Sequence, residues 1–179
     1  MPTRLAETEF AVLRQTIASR GTTRMVLVPV TLIGWASLTL VLLLFSGLPI
    51  AVLLSLAVLV GGFEAIHALH VGAERIGRYL QVSYEADGAG PRWETTAMAV
   101  GPALPGGGID PLFSLVFIAV TLVNLVPALL PEPTPLELAA VALPHAAFVV
   151  RVLRARGAAA RQRAIELESF RALLGTRPD

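Results

Sequence analysis

Four long runs of apolar residues dominate the chain, separated by short polar or proline-rich stretches. The runs are 25–45, 48–71, 112–130 and 136–153. The first and third have no ionisable side chain, the second carries Glu64, His67 and His70, and the fourth has Glu137 and Arg151 near its ends. A membrane-spanning helix needs about 20 mostly apolar residues. The pattern therefore predicts four transmembrane helices.

The links inside each pair of runs are very short. Only residues 46–49 separate the first two runs, and only residues 131–135 separate the last two. Links of this length place consecutive helices antiparallel. The sequence predicts an all-α integral membrane protein with two transmembrane helical hairpins. Its predicted segments are 1–24 (amphipathic, cytoplasmic), 25–85 (first hairpin with a helical extension), 86–111 (Gly/Pro-rich loop), 112–153 (second hairpin) and 154–179 (arginine-rich amphipathic helix).

Both ends of the chain show helical periodicity outside the apolar runs. Phe10, Leu13 and Ile17 lie at i, i+3 and i+7, and Gly21 follows at the place of a helix C-cap. This spacing predicts a short amphipathic helix on the membrane surface. The C-terminal segment alternates apolar and charged residues at helical spacing, and either continues the fourth helix or begins after a break near Gly157.

The positions of the arginines predict the orientation in the membrane. All 14 cationic side chains are arginine: four precede residue 25, three lie between 71 and 112, seven follow residue 150, and neither short link contains one. Positive charge is concentrated in cytoplasmic segments. We therefore expect both termini and the middle segment in the cytoplasm, and the chain in a bacterial inner membrane. The arginine-rich helices are expected to contact anionic lipid headgroups or other membrane protein subunits.

Composition excludes several kinds of chemistry. The chain has no cysteine, which excludes disulfides, thiolate catalysis, cysteine-ligated zinc and iron–sulfur clusters. It has no lysine, so the glycines at 106–108 are not part of a lysine-containing phosphate loop. A net charge of +1 gives no reason to expect nucleic-acid binding. Enzymatic activity has no positive support in the sequence.

The second apolar run carries a face of small residues. At about 100° per residue, Gly61, Ala65, Ala68 and Gly72 fall within about 40° of one another on a helix. Small residues allow the backbone of a second transmembrane helix to approach closely. This face is predicted to pack against another helix, either of this chain or of another subunit.

A polar stripe runs beside the small-residue face, and three interpretations of it remain open. Local pairing would join Glu64 to His67 and Glu74 to Arg78. A metal site for zinc, iron or manganese would use Glu64, His67, His70 and Glu74. A proton or ion relay would use Glu64 and the histidines. The unit Glu64-x-x-His67 matches that of di-iron bundles, but the sequence contains no second copy of it.

Three polar residues are predicted to lie near the middle of the bilayer. Counted along their helices, His145 and Asn124 have similar depths, so a hydrogen bond between them is the simplest expectation. Ligation of a haem or chlorophyll by His145 is the alternative, although the simpler expectation is no cofactor. The indole N–H of Trp35 also requires a partner at this depth.

Local signals predict where the last two helices begin and where they are perturbed. Asp110, followed by a proline, is expected to cap the third helix. Thr134 and Glu137 have the spacing of a capping box for the fourth helix. Pro127 and Pro144 lie within apolar runs, where each removes a backbone hydrogen bond and favours a kink.

These observations favour a non-catalytic accessory subunit that packs into a larger membrane complex. One alternative is a small homo-oligomeric transporter or channel for ions or protons that uses Glu64, His67 and His145. A second alternative is a membrane subunit that binds a metal or tetrapyrrole.

Overall fold

The computed structural model describes residues 4–85, 92–100 and 112–175, and these ranges contain helices and no strand. The all-α prediction is therefore confirmed for them. The helices are α1 (Arg4–Phe45), a 3₁₀ turn (Pro49–Ala51), α2 (Val52–Ser83), α3 (Trp93–Val100), α4 (Ser114–Val123), α5 (Val126–Leu129) and α6 (Pro135–Gly175).

Three helical segments are long and apolar enough to cross a membrane, which indicates a membrane protein. They are Arg4–Phe45, Pro49–Ser83 and Pro135–Ala158. The third predicted span corresponds to Ser114–Leu129, which is apolar but shorter. It is also interrupted, because α4 ends at Val123 and α5 begins at Val126 with Pro127 in its first turn. Proline has no N–H to donate, so the predicted kink takes the form of a break.

The N-terminal segment is helical as predicted, but the predicted helix end at Gly21 is wrong, because α1 continues through this glycine. A glycine inside a helix costs only about 1 kcal/mol, whereas continuing the helix keeps its backbone hydrogen bonds. Helix α6 likewise continues through Gly157, so the C-terminal segment extends the fourth apolar helix. Helix α6 also continues through Pro144.

The two predicted helix starts have different outcomes. Helix α4 begins at Ser114, after Phe113 with φ 52°, rather than beside Asp110, which lies outside the described residues. The capping box of α6 is confirmed. The N–H and hydroxyl of Thr134 donate to Glu137 Oε2 at 2.9 and 2.7 Å, and the Glu137 N–H donates to Thr134 Oγ1 at 3.3 Å.

The chain divides into two compact units, of which the first is apolar. It consists of Arg24–His67 and Leu112–Arg156. Phe63 is fully buried in its core, with ring centroids 5.3 Å from Phe117 and 5.7 Å from Phe148 in edge-to-face geometry. On another side of α2, Gly62 lies so close to Thr31 of α1 that a Cβ atom would collide with the threonine side chain. Aromatic packing and this glycine contact therefore hold α2 against its neighbours in the apolar unit.

The second unit, called the charged unit below, consists of Met1–Thr23, Ala68–Pro111 and Gly157–Asp179. Aromatic rings join its helices: Phe10 lies 5.4 Å from Tyr84, and Tyr79 lies 5.8 Å from Phe170 and 6.3 Å from Tyr84. The Tyr79 hydroxyl also donates to Glu9 Oε1 at 3.0 Å. These contacts tie α1, α2 and α6 together within this unit.

Candidate functional site: a buried polar network and a charged pair

Asn124, at the break between α4 and α5, is the centre of a buried polar cluster in the apolar unit. Its Nδ2 donates to the carbonyl of Val52 and to His145 Nε2, both at 3.0 Å. Its Oδ1 accepts from Trp35 Nε1 at 2.9 Å and from the Ser55 hydroxyl at 2.7 Å. We call Trp35, Ser55, Asn124 and His145 the Asn124 network. It connects α1, α2, the α4–α5 break and α6.

The donors and acceptors of this network are mutually consistent. An indole N–H can only donate, so the atom of Asn124 that faces Trp35 must be Oδ1, and Nδ2 must face His145. His145 Nδ1 lies 2.8 Å from the carbonyl of Val141, which can only accept. The proton of the neutral ring is therefore on Nδ1, and Nε2 accepts from Asn124.

This geometry confirms the predicted hydrogen bond between His145 and Asn124 and supplies the partner that the Trp35 indole requires. Asn124 donates both amide hydrogens, and its Oδ1 accepts from Trp35 and from the Ser55 hydroxyl, whose hydrogen also lies within reach of the Val52 carbonyl at 2.9 Å. His145 is buried, with 2% of its surface exposed, and both ring nitrogens are engaged. Ligation of a haem or chlorophyll by His145 would require the loss of one of these hydrogen bonds.

A cleft of about 260 Å³ lies beside this network in the apolar unit. The cleft wall includes Ser55 of the network and Val52, whose carbonyl accepts from Asn124. Most of the other lining side chains are apolar, so the cleft suits a hydrocarbon group rather than an ion. The other lining residues are Thr39, Leu42, Leu43, Gly47, Leu48, Ala51, Pro127, Leu130 and Pro131.

The second polar feature of the apolar unit is an ion pair between α2 and α6. Arg151 Nη2 donates to Glu64 Oε2 at 2.8 Å and lies 3.5 Å from His67 Nδ1. The guanidinium carbon lies 5.8 Å from the centre of the Phe63 ring. The structure thus pairs Glu64 with Arg151 across two helices rather than with His67 in its own helix. The side chains of Glu64 and Arg151 remain 41% and 40% exposed.

The charged unit has an ion-pair network of its own between α2 and α6. The predicted pair of Glu74 with Arg78 is present at 3.2 Å, and Arg78 also pairs with Glu166. Arg75 lies 3.2 Å from Glu166, and Arg163 lies 3.3 Å from Glu74. Burial alone would raise the pKa of the Glu166 carboxyl, but the hydrogen bonds that it accepts outweigh burial and hold this pKa below its ordinary value.

The four candidate metal ligands are not gathered into one cluster. Over residues 4–85, 92–100 and 112–175, no group of three or more His, Asp or Glu side chains is placed to hold a metal ion. Glu64 and His67 belong to the apolar unit and face Arg151. His70 and Glu74 belong to the charged unit, where His70 is buried and Glu74 is ion-paired.

The predicted small-residue face is largely open. In the apolar unit, Gly61 and Ala65 are exposed, and a Cβ added to Gly61 would meet nothing within 4 Å. In the charged unit, Ala68 is exposed, whereas Gly72 lies against the guanidinium of Arg20. Within the apolar unit, the close contact with α1 is made by Gly62, which lies outside the predicted face. The adjacent Gly61-Gly62 pair was the only sequence signal for it.

Sequence reasoning missed the role of Glu85, whose carboxylate binds the start of α3 in the charged unit. Glu85 Oε1 accepts from the Glu94 N–H at 2.8 Å, and Oε2 accepts from the Thr95 N–H at 2.8 Å and the Thr95 hydroxyl at 2.6 Å. Arg14 pairs with Glu94 at 2.5 Å. A carboxylate at a helix N-terminus satisfies otherwise unpaired N–H groups.

The pKa of Glu85 is lowered and the pKa of Glu94 is raised relative to an ordinary glutamate. Burial tends to raise the pKa of Glu85, but its hydrogen bonds to Thr95 and Glu94, together with the charge of Arg14, hold this pKa below its ordinary value. Burial raises the pKa of Glu94; Arg14 opposes the shift, and the nearby Glu85 charge adds to it. The two carboxyl groups therefore respond differently to pH.

No protein-family model, curated protein or solved structure matches this chain. Its function is therefore inferred from its own geometry. The apolar unit offers two polar features, the Asn124 network and the Glu64–Arg151 pair. The polar groups of the Asn124 network are hydrogen-bonded within the protein, whereas the side chains of Glu64 and Arg151 are partly exposed.

Proposed function

We propose that the protein is a non-catalytic membrane subunit that packs into a larger membrane assembly. In this proposal the chain crosses a bacterial inner membrane four times as two hairpins, with α4 and α5 together forming the third span. Both termini and the middle segment are cytoplasmic, as the placement of the arginines favours. The partners are other membrane protein subunits and, at the arginine-rich helices, anionic lipid headgroups.

The Asn124 network is the observation that supports this proposal most. A catalytic centre or transport pathway needs polar groups that can engage a substrate, ion or proton. The polar groups of the network engage one another instead: Asn124 donates both amide hydrogens and accepts at Oδ1, and His145 uses both ring nitrogens. Such a closed network holds helices in register, which is the role of a scaffold.

The open apolar surface of α1 supports packing into an assembly. Only 6% of the apolar window of α1 is buried within the protein, against 39% for Pro49–Ser83. Ile33, Leu40 and Leu44 are each more than half exposed. In a bilayer this surface contacts either lipid or another subunit, and it leaves ample area for a protein partner.

The test is gentle purification of the tagged, full-length chain from its native membranes. We expect a particle larger than a detergent-solubilised monomer, with a protein component in fixed stoichiometry. An unrelated tagged membrane protein from the same host serves as the control for nonspecific recovery. A monomer without a protein partner would contradict the proposal.

Two further measurements separate this function from the alternatives. In proteoliposomes we expect no ion or proton flux that depends on Glu64, so the wild type and Glu64→Gln should behave alike. The purified protein should also lack a visible absorption band, whereas a tetrapyrrole would produce one. Flux lost in Glu64→Gln would favour a channel or transporter instead.

A further inference from the structure

We infer that a second copy of this chain packs against the α2–α6 face of the apolar unit, where the Glu64–Arg151 pair lies beside Gly61 and Ala65. This inference rests on the proposed membrane function and specifies one partner in the assembly. It is carried by the depth, exposure and charge arrangement of the ion pair, and the small residues show that the face can be approached closely.

Counted from the starts of their helices, Glu64 and Arg151 lie in the inner part of the hydrocarbon layer, where acyl chains offer them no hydrogen bonds. Glu64 follows Pro49 by fifteen residues and Arg151 follows Pro135 by sixteen, which corresponds to about 22 and 24 Å along their helices. Both positions fall within a hydrocarbon layer about 30 Å thick. Ionised groups at such positions normally face protein or water rather than lipid.

The chain itself covers this pair incompletely. About two fifths of each side chain is open, with Glu64 41% and Arg151 40% exposed. The contacts of Arg151 with Glu64 and His67 both use Nη2. A guanidinium has five N–H groups and a carboxylate has two oxygens. The open fraction of both groups therefore calls for further polar partners.

A second copy supplies such partners because the patch is complementary to itself. It contains one acidic and one basic group at nearly equal depth. A two-fold axis along the membrane normal reverses their order in the second copy, so Glu64 of each copy faces Arg151 of the other. Each charge then has opposite charges on two sides, and the four groups shield one another from lipid.

Small residues allow the two copies to approach closely at this level. Gly61 and Ala65 are exposed on α2 and are four residues apart, on either side of Glu64 in the chain. Nothing within 4 Å would meet a Cβ at Gly61. Two helices that meet through such residues bring their backbones close enough for the flanking Glu64 and Arg151 side chains to reach across.

The absence of cysteine in the chain makes disulfide cross-linking a direct test. Because α2 of one copy faces α6 of the other in this arrangement, we expect Gly61→Cys and Ala65→Cys, each co-expressed with a differently tagged Ala147→Cys chain, to form disulfide-linked dimers upon mild oxidation in native membranes. Ala147 is exposed one turn before Arg151 on α6. Ile33→Cys, at an exposed position on α1 and co-expressed with the same Ala147→Cys chain, is the matched control and should remain largely monomeric. Equal cross-linking of all three variants to Ala147→Cys, or none at Gly61 and Ala65, would overturn the inference.

Charge exchange provides a second, independent test. Glu64→Arg and Arg151→Glu should each weaken self-association by at least about tenfold, because like charges then meet across the axis. Co-expression of the two variants with different tags should restore association, since one copy carries two positive and the other two negative charges. Arg154→Glu, on the same helix and exposed, should have a much smaller effect. Failure of the mixed pair to associate would contradict the two-fold arrangement.

The combined outcomes distinguish this inference from the proposed function. If native purification recovers a different membrane protein and neither Gly61→Cys nor Ala65→Cys cross-links, the inference falls and the proposed function stands. If the chain is monomeric with no partner, both the second-copy inference and the proposed function are contradicted. Recovery of a monomer with bound anionic lipid would overturn the dimer and assign the open pair to a lipid headgroup.

Discussion

His145 Nε2 accepts a hydrogen bond from Asn124 Nδ2 at 3.0 Å, which joins α6 to the break between α4 and α5. The same asparagine reaches Trp35 on α1 and Ser55 on α2. One side chain therefore connects four segments of the apolar unit. A buried asparagine with these contacts is hard to replace, because its loss removes the hydrogen bonds that the Trp35 indole and His145 Nε2 make to it.

Asn124→Ala should destabilise the apolar unit by about 1–3 kcal/mol. The substitution leaves Trp35 Nε1, the Ser55 hydroxyl and His145 Nε2 without the bonds they make to Asn124. Thermal unfolding in detergent, followed by circular dichroism, measures the change. Leu122→Ala, at an exposed position two residues earlier, is the control and should shift the midpoint little. Equal effects would show that the network does not stabilise the unit.

Gly62→Ala and Gly61→Ala should have opposite effects, although the two glycines are adjacent. A Cβ at Gly62 would collide with the Thr31 side chain, whereas one at Gly61 meets nothing within 4 Å. We expect Gly62→Ala to destabilise by about 1–3 kcal/mol through overpacking. Gly61→Ala should be neutral or stabilising by up to about 1 kcal/mol, because alanine is the better helix former. Unfolding midpoints in detergent compare them, and equal stability of both variants would contradict the close α1–α2 contact.

Glu85→Gln should weaken the attachment of α3 by about 1–2 kcal/mol, since the carboxylate accepts three hydrogen bonds from Glu94 and Thr95. The pKa of Glu85 is held below its ordinary value. Its contribution is therefore fully present above that ordinary value and is lost as the pH falls through the lowered pKa. The chain has two tryptophans, so fluorine NMR of fluorotryptophan can follow Trp93 at the start of α3. A Trp93 resonance that is unchanged in the variant and at acidic pH would disprove this role.

Glu94→Gln should leave α3 attached at neutral pH or strengthen its attachment. Burial raises the pKa of Glu94, so its protonated form is favoured in the folded state. The stabilisation that protonated Glu94 gives to the folded state is fully present at pH values below the ordinary pKa of a glutamate. It is lost as the pH rises through the raised pKa. Glutamine removes the charge yet can still accept from Arg14. The fluorine resonance of Trp93 measures the attachment of α3 in this variant. Detachment of α3 as extensive as in Glu85→Gln would contradict the prediction.

Single cysteines can test the topology that the arginines predict. Ser46→Cys, in the short link after α1, should react with a membrane-impermeant maleimide from outside the cell. Ser169→Cys, near the end of α6, should react only after the cytoplasmic side is opened. The parent chain, which has no cysteine, is the blank. Labelling of both positions from the same side would contradict the predicted orientation.

Short-range and periodic features were predictable from the sequence. The capping box of Thr134 and Glu137 and the pair of Glu74 with Arg78 depend on residues three or four positions apart in one helix, so helix geometry alone brings them together. The bond between Asn124 and His145 was also predictable, because two polar residues at equal depth in a bilayer have few other partners.

Contacts between distant segments were not predictable in the same way. Arg151 as the partner of Glu64, Glu85 as the ligand of the α3 N-terminus, and Gly62 as the close contact of α1 all depend on how helices face one another. Periodicity places a residue on a face of its own helix but does not identify the opposing helix. The continuation of α1 through Gly21 was missed because a glycine permits a helix end without requiring one.

The sequence by itself determined that this chain is helical and contains helices able to cross a membrane, because apolar runs of this length have few other stable structures in water or lipid. Only the tertiary structure decided which polar groups are buried and fully hydrogen-bonded and which remain partly exposed. That distinction depends on rotation and register between helices, to which residues far apart in the chain contribute together. It leaves Asn124 enclosed by four partners and the Glu64–Arg151 pair partly uncovered.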